Sequence, residues 1–180
     1  MAKGFFRARC AALGCEVTVA SAGSLGEGVG PPEEVIEVMA HRDIDISTHC
    51  SRLLSPELVR AADVVVGMAR QHLIEVITLA PDAWERCFTL VDLVRRGEAM
   101  GRREESDELA AWVRRVQGGR SRSSLLALDL GDDIDDPMGG RPVVFERVAD
   151  RLDDLVTRLA TLLCPPVDLR YPPTSNRPTS

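Results

Sequence analysis

Asp63 to Met68 reads DVVVGM, an uninterrupted apolar run of strand length lying between two stretches of helical character. A strand with apolar side chains at successive positions has no face to give to water, so both faces need cover. A parallel sheet wrapped by helices supplies that cover. The flanking sequence keeps the same rhythm. Ala2 to Leu13 places Phe5, Phe6, Cys10 and Leu13 near helical spacing, and Gly14 follows as the stop. Glu16 to Ala20, EVTVA, reads as a short β-branched strand, and Ser21, Ala22 and Gly23 open a glycine-rich loop that runs through Gly30. Pro31 and Pro32 start a helix that carries Glu33 and Glu34 in its first turn. Ser55, Pro56 and Glu57 announce another helix by N-cap, first-turn proline and acidic residue. Ala69 to Leu79 is predicted helical, Cys87 to Leu93 (CFTLVDL) is predicted as a second apolar strand, and Pro142 to Leu163 carries the apolar stripe of a long helix. Strands alternating with helices imply right-handed crossovers and an α/β fold.

Two segments depart from that rhythm. Residues 97–124 are charged and glycine-flanked, and they read as an insertion holding one amphipathic helix between Ser106 and Gln117, with Leu109, Trp112, Val113 and Val116 on its apolar side. Residues 164–180 are proline-rich and poor in large apolar groups, so a disordered tail is expected after a single domain over 1–163.

The charge balance narrows the partners. A formal charge of -6 with scattered cations argues against a nucleic-acid surface, which needs a basic face. No apolar run is long enough to span a bilayer, and the amino-terminal stretch has no signal-peptide core, so no membrane partner is expected and the chain reads as cytoplasmic. Five cysteines at irregular spacing in such a chain read as reduced thiols. Neither they nor His41, His49 and His72 show metal-site spacing.

Asp132 to Gly140, DDIDDPMGG, packs four carboxylates and a proline into the loop ahead of the last helix. An Asp crowded by other carboxylates holds its proton more tightly, which suits a group meant to protonate a departing oxygen, and Asp136 is the candidate. The structural alternative is a solvated acidic loop at a helix N-terminus, where the dipole favours carboxylates.

Several of these segments together resemble the low-molecular-weight protein tyrosine phosphatases. They are ASAGS (Ala20 to Ser24), PPEEVIEVM, DIDISTHCSRLLSPELVRAADVVVGM (Asp43 to Met68) and DDIDDPMGG before FERVADRLDDLVTRL, and they occur in that family's order over roughly residues 1–96 and 131–163. The resemblance implies a flavodoxin-like three-layer sandwich on a four-stranded parallel sheet. It implies hydrolysis of a phosphate monoester, on a phosphorylated protein or a small aryl phosphate, through a cysteinyl-phosphate intermediate and without a cofactor. Asp136 in Asp136-Pro137 matches the general acid, while Ser21 and His49 match residues that steady the phosphate loop by hydrogen bonds. Met138 departs from the family, which usually places an aromatic there to flank the substrate ring.

The same resemblance sets an expectation at the front. In the family a first, central strand runs into a loop of the form Cys, five residues, Arg, then Ser-Pro and a helix, and Met1 aligns just after that Ser-Pro. The chain as given is therefore expected to lack the nucleophile and the central strand, with Met1 an internal methionine of a longer product. The loop would cradle phosphate on backbone N–H groups, with the arginine clamping its oxygens. Cys164 to Arg170, CPPVDLR, has the same spacing but fails as a substitute: two prolines supply no N–H and Asp168 repels phosphate. A missing central strand leaves a gap of roughly 9.6 Å, two strand spacings, between the segments matching Glu16 to Ala20 and Asp63 to Met68.

Two other functions compete. One is a non-catalytic phosphate-binding or interaction protein derived from the family. The other, ranked lower, is an arsenate reductase, which needs further cysteines relaying a disulfide. A phospho-acceptor receiver domain shares the fold class but fails on residues, since Lys3 is the lone lysine.

Overall fold

The computed structural model describes residues 1–24, 26–126 and 130–165, the side chains of 124, 126 and 130 excepted. The chain begins in helix α1, Ala2–Ala12, which Gly14 ends at φ 66°: Gly14 N–H donates to the Ala11 carbonyl and Cys15 N–H to the Cys10 carbonyl. Helix α2, Glu33–Ala40, follows the paired prolines, and α3, Pro56–Arg60, is capped by the Ser55 hydroxyl, which accepts from Leu58 N–H. Strand β1 is Val65–Gly67, followed by α4, Arg70–Leu79. A turn of 3₁₀ helix, Pro81–Arg86, leads to strand β2, Cys87–Thr89, which pairs parallel to β1 with Val66 opposite Phe88.

The predicted strand Cys87 to Leu93 is shortened to three residues, because helix α5, Leu90–Met100, begins where Thr89 accepts from Asp92 N–H at 3.1 Å. An apolar run cannot tell a buried strand from a buried helix turn; the Thr89 cap decides it. Helix α6 is Leu109–Gln117, α7 is Arg122–Leu126 and α8 is Pro142–Leu163, the last with the bounds its apolar stripe predicted.

Alternation along the strands divides the interior into two layers of packing. Val66 and Phe88 face a large core built with Phe5 of α1, Val38 and Met39 of α2, Leu93 of α5 and Leu152, Val156 and Leu159 of α8. Val65 and Cys87 face the opposite side, against Val59 of α3 and Leu73, Val76 and Ile77 of α4. Helices on both faces of a parallel sheet make the α/β sandwich that DVVVGM required.

Three expectations change. Glu16 to Ala20 is not a strand: it takes no part in the sheet, and Val17 is 37% exposed, so β propensity goes unused without a neighbouring strand to pair with. Among the described residues the sheet has two strands, β1 and β2, with an isolated parallel bridge between Gly23 and Leu53 nearby. The predicted insertion from residue 97 begins inside α5, where Gly97 lies under Leu162 and Trp112, and Trp112, Val113 and Val116 of α6 enter the main core. Segment 101–117 thus shares the core of the domain, with α6 lying inside the helix predicted between Ser106 and Gln117. The predicted tail falls outside the described residues from 166 onward, while Cys164 itself is buried against α1.

Candidate functional site

The acidic loop is moored at the carboxyl end of β1. Ile134 N–H donates to the Met68 carbonyl at 2.8 Å, and Arg70 N–H, at the start of α4, donates to Asp133 Oδ1 at 2.8 Å. Ile134 is buried in the main core with Phe5, and Met1, Ala2, Val66 and Met68 pack against that core. The start of α1, the end of β1 and the loop therefore share one apolar foundation. In open parallel sheets the crevice beyond the carboxyl ends of the strands is where ligands bind.

The loop's carboxylates turn to separate partners. Asp132 is buried, its side chain 2% exposed, and it takes Arg95 Nη1 at 2.7 Å and Arg70 Nη2 at 3.0 Å. Asp135 stands on the surface, 3.9 Å from Arg147. Asp136 is exposed and accepts from Met138 N–H through Oδ1 at 3.0 Å, a local turn that holds the carboxylate at the loop's crest. Proximity in sequence thus becomes a division of labour: Asp132 and Asp133 anchor the loop, and Asp136 is presented to solvent. Met138 beside it is 59% exposed.

Sequence reasoning missed the frame behind Asp132. Asp92, in the first turn of α5, takes Arg95 Nη2 at 2.7 Å and Arg96 Nε at 2.9 Å. Arg120, from beyond α6, stacks over the Phe88 ring at 4.0 Å and donates from Nη2 to the Cys87 carbonyl at 2.6 Å, with its Nε 3.7 Å from Asp92. The signal was present as an arginine excess around Asp92, but no spacing rule ties residue 120 to residue 92.

His49 is half-buried in the loop after α2. Burial, with the charges of Lys3 and the chain's amino terminus nearby, pushes its imidazole below the usual value, so it sits as a neutral ring beside the start of α1. Ser21 lies in the extended segment before the Gly23–Leu53 bridge, and its Oγ is buried with no hydrogen-bond partner among the described residues. No hydrogen bond among the described residues joins Ser21, His49 and Asp136.

The cysteines are all free thiols. Cys87 is wholly buried and burial pushes its thiol up to about 11, and burial likewise raises Cys10 and Cys164, so none of these three is an activated nucleophile. Among the described residues no group of three or more His, Cys, Asp or Glu is placed to hold a metal ion, and no helix is long and apolar enough to cross a membrane.

Comparison with known proteins places this geometry. Arsenate reductase 2 of Staphylococcus saprophyticus is 40% identical over 84 residues, covering 47% of this chain and 54% of that protein. The low molecular weight protein-tyrosine-phosphatase Wzb of Salmonella typhi is 32% identical over 69 residues, covering 37% and 45% respectively. The chain thus spans about half the length of the curated relatives it matches. A low molecular weight protein tyrosine phosphatase from T. tengcongensis superposes with a TM-score of 0.64 at 26% identity, covering 88% of this chain and 86% of that one. The profile of the low molecular weight phosphotyrosine protein phosphatases matches residues 1–103, more than half of the sequence, and the chain belongs to that family.

Proposed function

We propose that this chain carries the proton-donating and supporting part of a phosphate-monoester hydrolase, with Asp136 as general acid and Ser21 and His49 as supports of the phosphate loop. The observation that carries the reading is the mooring of the Asp136 loop at the carboxyl end of β1 by Ile134, Asp133 and Asp132. In the proposed reaction a cysteine thiolate, on a loop beside the start of α1, attacks phosphorus and forms a cysteinyl phosphate. Asp136 gives its proton to the leaving oxygen and then takes one from the water that cleaves the intermediate. The unpartnered Ser21 hydroxyl and the neutral His49 ring are available to hydrogen-bond that loop. The substrates proposed are a phosphorylated protein or a small aryl phosphate.

The test is to place a strand and a Cys, five residues, Arg, Ser-Pro segment ahead of Met1 and to assay an aryl phosphate. Turnover is expected in the extended protein, and Asp136→Asn should lower it about 10²- to 10⁴-fold. Wild-type turnover in that variant would remove Asp136 from the role. The 40% identity to an arsenate reductase favours one second reading, reduction of arsenate by relayed thiols. Cys87, buried with no second cysteine in its cluster, is poorly suited to a relay, and arsenate consumption by the extended protein without aryl phosphate turnover would decide for that reading.

A further inference from the structure

Three thiols meet where α1 and α8 end, away from the loop that bears Asp136. The glycine turn after α1 folds Cys15 back over Cys10, with Cys15 N–H on the Cys10 carbonyl at 2.9 Å. Cys164, at the close of α8, lies with its Sγ 3.7 Å from Cys10 Sγ, and Cys10, Cys164 and Ala160 form a small buried cluster with Cys15 packed on its margin. Cys15 thus packs on the same cluster that brings Cys164 against Cys10. The place is fixed from outside: Arg9 grips Asp153 through Nε at 2.9 Å and Nη2 at 2.6 Å, Arg103 Nε donates to the Leu163 carbonyl at 2.7 Å and Arg102 Nη2 to the Cys164 carbonyl at 3.0 Å. An open cleft of 790 Å³, lined by Arg7, Cys10, Cys15 and Asp43 among others, reaches the cluster from solvent.

We propose that Cys15 and Cys164, with Cys10 beside them, form an oxidisable thiol site at which a hydroperoxide joins the first helix to the last through a disulfide. Cys15 reacts first, since it is the half-exposed member on the cleft. Its thiolate sulfur attacks one peroxide oxygen, the O–O bond breaks, the other oxygen leaves as water after protonation, and Cys15 becomes a sulfenic acid. Cys164 then attacks the Cys15 sulfur, the S–O bond breaks, hydroxide leaves as water with the thiol proton, and the S–S bond forms. The two sulfurs lose two electrons in all, and the peroxide takes them. Burial holds Cys10 and Cys164 in the thiol form and slows their own reaction with the oxidant; Cys164 resolves Cys15 through its place in the same cluster, its proton passing to the departing hydroxide.

The whole chain is treated with hydrogen peroxide, alkylated and digested with trypsin, which releases Cys10 to Arg42 and Leu159 to Arg170 as separate peptides. The expected product is those two peptides linked, reversed by dithiothreitol, with fragmentation placing the bond on Cys15 and Cys164. Cys15→Ser should slow linkage at least tenfold. Cys164→Ala should abolish it and leave a sulfenic acid on Cys15 that dimedone traps; Cys164→Ser repeats this should the alanine variant fold poorly. The linked protein should melt roughly 5–10 °C higher than the reduced one, since the bond closes nearly the whole chain into a loop. Peptides that stay unlinked while Cys50 is oxidised, or linkage in Cys15→Ser at the wild-type rate, would overturn the proposal.

Discussion

Cys87 and Asp132 show at the residue scale how burial turns chemistry into stability. The Cys87 thiol is held up to about 11 by burial, above its value in an unfolded chain, roughly 8.5. Below pH 8.5 both states keep the proton and stability is unaffected. Between about 8.5 and 11 the unfolded chain gives up its proton while the folded one does not, so stability falls as pH rises, by about 2–3 kcal/mol. Urea unfolding at pH 8 and pH 11 should show that loss in the wild type and a smaller one in Cys87→Ala; equal losses would contradict the assignment. Asp132 is buried between Arg70 and Arg95. Asp132→Ala should cost about 3 kcal/mol, because it removes the buried carboxylate that Arg70 and Arg95 share and loosens the loop that presents Asp136. A loss under about 1 kcal/mol by urea unfolding would show that Ile134 and Asp133 hold the loop without it. Asp136 could be named as a candidate from its place in DDIDDP, whereas the ion pairs of Asp132 could not, because charge pairing across 37 and 62 residues is set only when the chain has folded.

Helix ends and helix contacts decide the outcome at the scale of the element. Ser55 and Pro56 announced α3 in sequence and the structure has that cap, whereas Thr89, buried inside an apolar run, concealed the change from β2 to α5. Ser55→Ala should cost about 1 kcal/mol. Gly97 is the close-approach point between α5, α6 and α8: a Cβ there would lie 2.8 Å from Leu162 Cδ1 and 3.1 Å from the Trp112 ring. Gly97→Ala should therefore destabilise by about 1–3 kcal/mol despite alanine's better helix propensity, read as a lower urea midpoint at unchanged slope. A stabilised variant would mean that α6 packs more loosely than the Trp112 Nε1–Gly101 carbonyl bond of 2.9 Å implies.

For the molecule as a whole, the sheet explains both what sequence could show and what it could not. The apolar run DVVVGM required helices on two faces, and Val65 with Cys87 and Val66 with Phe88 fill those two sides. Strand number is a property of partners, so EVTVA carries strand propensity without being a strand. Strand β2 is wholly buried while Val65 and Val66 of β1 are only half-buried, which marks the side of β1 away from β2 as the open side of the sheet among the described residues. A strand supplied ahead of Met1 should pair there, slowing amide exchange across Val64 to Met68 and raising the melting temperature; unchanged exchange in a protein that turns over substrate would place that strand elsewhere.

The central claim is that Asp136 hands a proton to the leaving oxygen, and a series of aryl phosphates with graded leaving groups tests it most directly. In the extended protein, Asp136→Asn should be most damaging for phenyl phosphate, whose poor leaving group needs the proton, and least for 2,4-dinitrophenyl phosphate, whose good one does not. A loss of the same size across the whole series would contradict the account.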